Sequence, residues 1–209
     1  MRTENPKDCL ETKRHDTDER RVQIARAARE LIVERGFEGL RTRDIAERVG
    51  INVATLHYHV PSKEALVELM AQSLRDEFIA QHGSRPRAGL SALEQLRHEF
   101  ADFRETEIDN PVRHQAMVEL HERARRDARV AAVMRPMQAY WLRQMTDILE
   151  LGRKDGSFRP DIDPEAAASM VIGAMISSRK RDPDIAFFDR VAAELERSLA
   201  ARNEQGNRT

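Results

Sequence analysis

The sequence predicts an all-α protein. Three observations carry this. Charged residues make up 34% of the chain and aromatic residues only 5%, apolar residues recur at spacings of three and four, and Gly, Pro, Asp or Asn falls where such runs stop. A length of 209 residues allows one domain or two small ones with a real core. No run approaches the roughly 20 apolar residues of a membrane span, and polar Met1–Glu19 lacks the apolar stretch of a signal peptide. The expectation is a cytoplasmic protein with no membrane contact. Cys9 is the single cysteine, so no internal disulfide can form and a solvated thiol is the simple reading.

Residues 1–17 are charged, almost free of large apolar side chains and aperiodic, which predicts a disordered tail. From Asp18, a candidate cap, Ile24, Ala25, Ala28, Leu31 and Ile32 form the apolar stripe of a first helix that Gly36 closes. A second helix runs from Thr42, also a candidate cap, through Ile45, Ala46 and Val49 to Gly50. The third, Val53 to His59, is capped by Asn52 and stopped by Pro61, which disfavours helical geometry just before it. Ser62 caps a fourth with Leu66, Leu69, Met70, Leu74 and Phe78 on one face, reaching about His82. Gly83 to Gly89 reads as a loop. Further helices are expected at 90–107, 111–123, 127–152, 164–179 and 184–202, separated at Asn110-Pro111, Lys154-Asp155-Gly156, Asp163-Pro164 and Asp182-Pro183, with Pro136 a kink or a late start. Residues 203–209 read as frayed.

Net charge is -1, which by itself argues for neither nucleic acid nor membrane. Its distribution is less even: residues 20–63 hold nine basic against five acidic side chains, and the flanking segments are acidic. Inside that block, residues 42–60 place two helices around a turn of three residues that contains Gly50, the helix-turn-helix arrangement. There one helix crosses the phosphates and the next lies in the major groove, where base edges differ in donors and acceptors. Ile45, Ala46, Val49, Ile51 and Leu56 would fix the angle between the helices, leaving Val53, Ala54, Thr55, His57, Tyr58 and His59 outward.

The stretch Gly36-Phe37-Glu38-Gly39-Leu40-Arg41-Thr42-Arg43-Asp44-Ile45-Ala46, followed by Val49-Gly50-Ile51, Thr55-Leu56-His57-Tyr58-His59 and Pro61-Ser62-Lys63-Glu64-Ala65-Leu66, resembles the DNA-binding domain of the tetracycline-repressor (TetR) family over roughly residues 20–70. The resemblance implies an N-terminal three-helix head at 18–63 and a helical ligand-binding and dimerisation body at 64–202. It implies DNA contacts from Thr42, Arg43, Asn52, Val53, Ala54, Thr55, His57, Tyr58, His59 and Lys63. Thr42 would meet a phosphate at a helix start, Arg43 a base or phosphate, and Tyr58, His59 and Lys63 the backbone, setting register rather than sequence preference. His57, Val60 and Val53-Ala54 depart from the family's usual residues; the first and third bear on operator sequence, Val60 on packing.

The implied protein is a ligand-responsive repressor acting as a homodimer on double-stranded, palindromic operator DNA. Its half-site centres would lie about 34 Å apart or a multiple of that. Its small-molecule effector would lie among Leu69, Met70, Leu74, Phe78, Phe100, Phe103, Met117, Trp141 and Met145, with no further cofactor or metal. The interface would use Ala167, Met170, Val171, Ala174 and Met175 with Phe187, Phe188, Val191 and Leu195. His57 and His59 alternate on a short helix, a poor geometry for a shared ion; His114 and His121 share a face with Glu122 nearby, but ordinary satisfied or exposed histidines are the simpler reading. An enzyme is not expected, since no Gly-rich phosphate loop, paired-carboxylate ladder or Ser-His-Asp spacing is present. The competing reading is a helical small-molecule-binding or interaction module whose DNA head is vestigial.

Overall fold

The structure, a computed structural model, describes residues 6–178 and 185–201. Within them the chain forms helices α1 (Pro6–Arg35), α2 (Thr42–Val49), α3 (Val53–His59), α4 (Lys63–Ser84), α5 (Ala92–Phe103), α6 (Pro111–Ala124), α7 (Ala128–Asp155), α8 (Pro164–Ser178) and α9 (Ile185–Leu199), with a π-helical turn at Arg104–Ile108. Order and type follow the sequence expectation. Several ends do not.

Helix α1 begins at Pro6 rather than Asp18, inside the segment expected to be a disordered tail; residues 1–5 lie outside the described residues. Proline suits a first helical position, and the Lys, Glu, Leu and Arg that follow extend a helix already nucleated by the buried stretch around Ile24 to Ile32. Asp18 is therefore internal rather than a cap. Thr42 is likewise the first residue of α2, preceded by an extended Arg41 that makes no side-chain cap bond. Three ends in the first unit are as expected. Gly50 closes α2 in the left-handed region at φ 75°, Asn52 Oδ1 accepts from the Thr55 N–H at 2.7 Å, and Ser62 Oγ accepts from the Ala65 N–H at 3.1 Å. Helix α4 continues through Gly83 to Ser84, so the loop starts later than expected, and α7 runs through Pro136. The expected break at Asp182-Pro183 and the frayed 203–209 lie outside the described residues.

The chain divides into two compact units, Met1–Phe78 with Val112–Met134, and Ile79–Pro111 with Arg135–Thr209. The first buries Ile24, Leu31, Ile32, Ile45, Leu56, Leu66, Met70, Leu74 and Leu120. These positions come from α1, α2, α3, α4 and α6, so the short α2 and α3 gain their stability from packing rather than length. The second unit has one apolar cluster, with Leu96, Phe100, Phe103, Met145, Leu149, Phe158, Val171, Met175 and Phe188 among its members. Gly152 lets Phe158 lie on α7: a Cβ there would come 1.9 Å from the ring. Among the described residues no helix is long and apolar enough to cross a membrane.

Candidate nucleic-acid interface

Helix α3 spans seven residues, Val53–His59. Its inner side is a single side chain, Leu56, 1% exposed, and the chain is pinned again just beyond it by Val60, 2% exposed. Everything else faces outward or half outward: Val53, Ala54, His57 and Tyr58 are exposed, Thr55 and His59 partly so. Tyr58 keeps 81% of its surface, far more than a phenol retains in a packed position. The helix stands off its support, as a groove-reading element must.

Helix α1 is the platform for this pair. Its last turns hold α2 through Arg35 Nη1 to Asp44 Oδ2 at 2.5 Å and through Glu34, which receives both terminal nitrogens of Arg48 at 2.7 and 2.8 Å. The Arg48 guanidinium lowers the Glu34 carboxyl below its ordinary value, and the Arg48 pKa rises in return. Nearer the start of α1, Arg21 donates to the His59 carbonyl at 3.4 Å and to Gln72 Oε1 of α4 at 3.4 Å. Burial lowers the His59 pKa, and the charges of Arg21 and Arg20 add to the effect. The two guanidiniums beside the ring give this end of α3 a positive charge that suits a phosphate.

The expected DNA contacts fall together on this surface, with two of them already engaged. Arg43 is exposed and Thr42 partly exposed at the start of α2, where helix N–H groups and the dipole suit a phosphate. Asn52 Oδ1 is committed to capping α3, so its structural task is certain whatever its amide nitrogen touches. Lys63 Nζ lies 4.6 Å from the centroid of the Phe37 ring and 3.8 Å from Glu38 Oε2, anchored but still partly exposed. Arg21 was not among the expected residues. Its signal in the sequence was only membership of the basic block.

The residues expected to line an effector cavity are divided. Leu69, Met70, Leu74 and Met117 are buried in the first unit, to which Phe78 also belongs; Phe100, Phe103, Trp141 and Met145 belong to the second. In the second unit one of them, Trp141, engages a polar group that the sequence reading missed. Trp141 Nε1 donates to Glu99 Oε2 at 2.9 Å, and the Trp141 and Phe103 rings stack at 6.0 Å. Arg87 Nη1 lies 2.7 Å from Glu99 Oε1, too poorly aligned for a hydrogen bond, and Arg87 Nη2 reaches Asp102 Oδ2 at 3.0 Å, where Arg85 also binds. Burial raises the pKa of both carboxyls, with the arginines opposing it, and burial lowers that of His82. The sequence did hold a clue, because Glu99 stands between Leu96, Phe100 and Phe103 on an apolar stripe. Ligand atoms of His82, Glu99 and Asp102 lie within 4.8 Å of one another. Two guanidiniums already neutralise the carboxylates, so the set is an ion-pair network into which a divalent ion fits badly.

The residues expected at a dimer interface are divided. Ala167, Val171, Met175 and Phe188 are buried in the core of the second unit. Leu195 packs partly against the same core, whereas Met170 is 72% exposed and Ala174, Phe187 and Val191 are half-buried. The reason is that α8 is apolar nearly all round, so spacing alone does not tell its inner face from its outer one.

A family model described as "Bacterial regulatory proteins, tetR family" matches residues 24–70, the segment that builds this surface. The HTH-type transcriptional repressor KstR2 of Rhodococcus jostii (strain RHA1) is 30% identical over 157 residues, covering 71% of this chain and 72% of that protein. The tetracycline repressor protein class D of Escherichia coli is 40% identical over 86 residues, 40% of this chain and 38% of that one. Among solved structures, a transcriptional regulator from Saccharomonospora viridis in complex with choline aligns with a TM-score of 0.76 at 20% identity, over 88% of this chain and 100% of that one. AibR in complex with isovaleryl coenzyme A and operator DNA aligns with a TM-score of 0.70 at 22% identity, over 88% and 100%. At these identities the structural likeness speaks for the fold alone.

Proposed function

The chain belongs to the tetR family of bacterial regulatory proteins and is a DNA-binding transcriptional repressor; on that premise we propose that it acts as a homodimer on a palindromic operator and leaves it when a small molecule binds. The observation that carries the DNA reading is the outward face of α3, poised on Leu56 and Val60 with Tyr58 almost fully exposed. Val53, Ala54, Thr55 and His57 are the side chains for base edges and thymine methyls; Thr42, Arg43, Tyr58, His59 and Lys63 are those for phosphate and register, with Arg43 also within the chemistry of a guanine pair. One seven-residue helix touches too few bases for useful specificity, so two copies reading successive major grooves are needed.

For the effector, the second-unit residues Phe100, Phe103, Trp141 and Met145 offer apolar and aromatic surface beside the Glu99 and Arg87 network. Such a wall with a few fixed polar groups is the usual make-up of a small-molecule site. Choline and isovaleryl coenzyme A, bound by two proteins of this fold, show how widely the chemistry of such ligands ranges. A ligand that favours the DNA-incompetent state lowers operator affinity by its ratio of affinities for the two states, about 1.4 kcal/mol per tenfold.

Selection of duplexes from a random pool by the full chain tests the proposal. A palindromic consensus is expected, with binding that weakens as salt rises and falls in the Arg43→Ala and Thr55→Ala variants. Salt-dependent binding left untouched by both substitutions would mean that α3 and the start of α2 are not the reading surface, which is the vestigial-head alternative.

A further inference from the structure

We propose that Glu77 is a positioning residue for DNA recognition: its one carboxylate, shared between Arg29 of α1 and Arg113 of α6, fixes the DNA-reading helices against the two helices that carry them. This rests on the regulator reading above and adds the residues that aim the head.

The three side chains lie within the first unit. Arg29 donates through Nη2 to Glu77 Oε1 at 2.6 Å, and Ser73 Oγ donates to the same oxygen at 3.4 Å. Arg113 Nη1 stands 3.7 Å from the other oxygen, Oε2. The Arg29 side chain is only 9% exposed, and its Nη1 is buried without a hydrogen bond. An arginine is not placed in such surroundings for stability, since an apolar residue of similar volume does as well or better. What the charge supplies is geometry. With Arg29 at one oxygen and Arg113 at the other, the small, planar Glu77 carboxylate ties three helices together, and they cannot shift far without parting a buried charge from its partner.

The place of the hub in the unit gives that geometry a consequence. The same face-to-face sequence of contacts along α1 holds α3 through Arg21, α4 through Arg29 and α2 through Glu34 and Arg35. Whatever fixes α1 against α4 and α6 therefore aims the reading surface as one piece. Glu77 sits at the last turn of α4 before the chain leaves this unit at Phe78, and α6 belongs to the segment that returns at Val112. The far end of α6 meets the head as well, with the Arg123 guanidinium 5.2 Å from the centroid of the Phe37 ring. Glu77 is thus the point where the head, its outgoing helix and its returning helix share one ion-pair hub.

The test uses the full chain and two duplexes: the palindrome selected by the wild type, and a duplex with one half-site of it. The first variant is Arg113→Met, which removes the α6 arm and leaves the Arg29 and Glu77 pair neutral. Glu77→Gln, which leaves the buried Arg29 guanidinium without this carboxylate and risks unfolding, is the second, checked by helical circular dichroism. Binding of a single half-site needs only one intact head, whereas the palindrome rewards two heads held at a fixed separation. Both variants are expected to lose about tenfold on the palindrome and to stay within about twofold on the half-site. Equal losses on the two duplexes, or no loss on either with the fold intact, overturn the positioning role. A wild-type chain that selects no duplex removes the regulator reading and this inference with it; a wild type that binds while the variants show no split removes this inference alone.

Discussion

Leu56 and Tyr58 are two residues apart on the same short helix and have opposite tasks. Leu56 is 1% exposed and ties α3 to its support, while Tyr58 is 81% exposed and touches little. Leu56→Ala is expected to cost about 2–5 kcal/mol of stability, read as a fall in the denaturant midpoint, and to take DNA binding with it. Tyr58→Ala should leave stability within about 0.5 kcal/mol and weaken DNA binding only. A large loss of stability in Tyr58→Ala would mean that its ring is packed. His82 provides a titration at the same scale. Burial, followed by the Arg87 charge, lowers its pKa below 6.5, with Asp102 opposing. The folded chain then prefers the neutral ring. As pH falls below 6.5 the unfolded chain takes up a proton that the folded one resists, so the His82 contribution to stability is present above that value and is lost as pH falls through the lower folded one. The buried Glu99 carboxyl runs the other way: its raised pKa favours the protonated form, and its contribution is lost as pH rises through that raised value. The difference between wild type and His82→Gln isolates the first effect: their denaturant midpoints should converge as pH is lowered from neutral. Parallel curves would show that the ring titrates alike in both states.

Three helix ends around α3 were legible in the sequence, because their chemistry is local. The Asn52 cap, the Ser62 cap and the left-handed Gly50 stand where the sequence puts them. Asn52→Ala should therefore cost about 1 kcal/mol, measured by thermal or denaturant unfolding, and weaken DNA binding by fraying the first turn of α3. What depends on distant residues was hidden. Arg29 shows only as one basic residue outside an apolar stripe, and its partner Glu77 is 48 positions away. The faces of α8 were not legible either: with Ala166, Ala168, Met170, Val171, Ile172, Met175 and Ile176 distributed around the helix, only the packed structure tells inside from outside. Gly152 is a third case. In the sequence it reads as a weak spot near the end of a helix, yet the Phe158 ring occupies the space of its missing Cβ. Gly152→Ala gains helix propensity, about 1 kcal/mol, but must displace a fully buried ring, which costs about 1–3 kcal/mol or more. Net destabilisation is expected in a thermal melt. Stabilisation would show that Phe158 can move aside.

At the scale of the whole molecule, the proposed homodimer needs a surface for its second copy. The described residues leave a suitable surface on α8, where Met170 is 72% exposed although its neighbours Val171 and Met175 are 1% and 0% exposed in the core of the second unit. Ala166, Ser169, Gly173 and Ser177 continue that outer side at spacings of three and four. Small residues flanking one flexible thioether allow two helices to approach closely, and the thioether can fill what gap remains. Met170→Glu should leave the fold intact, since the side chain makes no core contact, and should bury a charge if the surface is an interface. The expected outcome is a dimer dissociation constant raised at least tenfold, about 1.4 kcal/mol, seen by sedimentation equilibrium, with palindrome affinity falling at low protein concentration and recovering as concentration rises. Core damage gives a different pattern, a lowered melting temperature that added protein does not restore. An unchanged dimer would place the contact elsewhere, and half-buried Phe187 and Val191 of α9 would be the next surface to substitute.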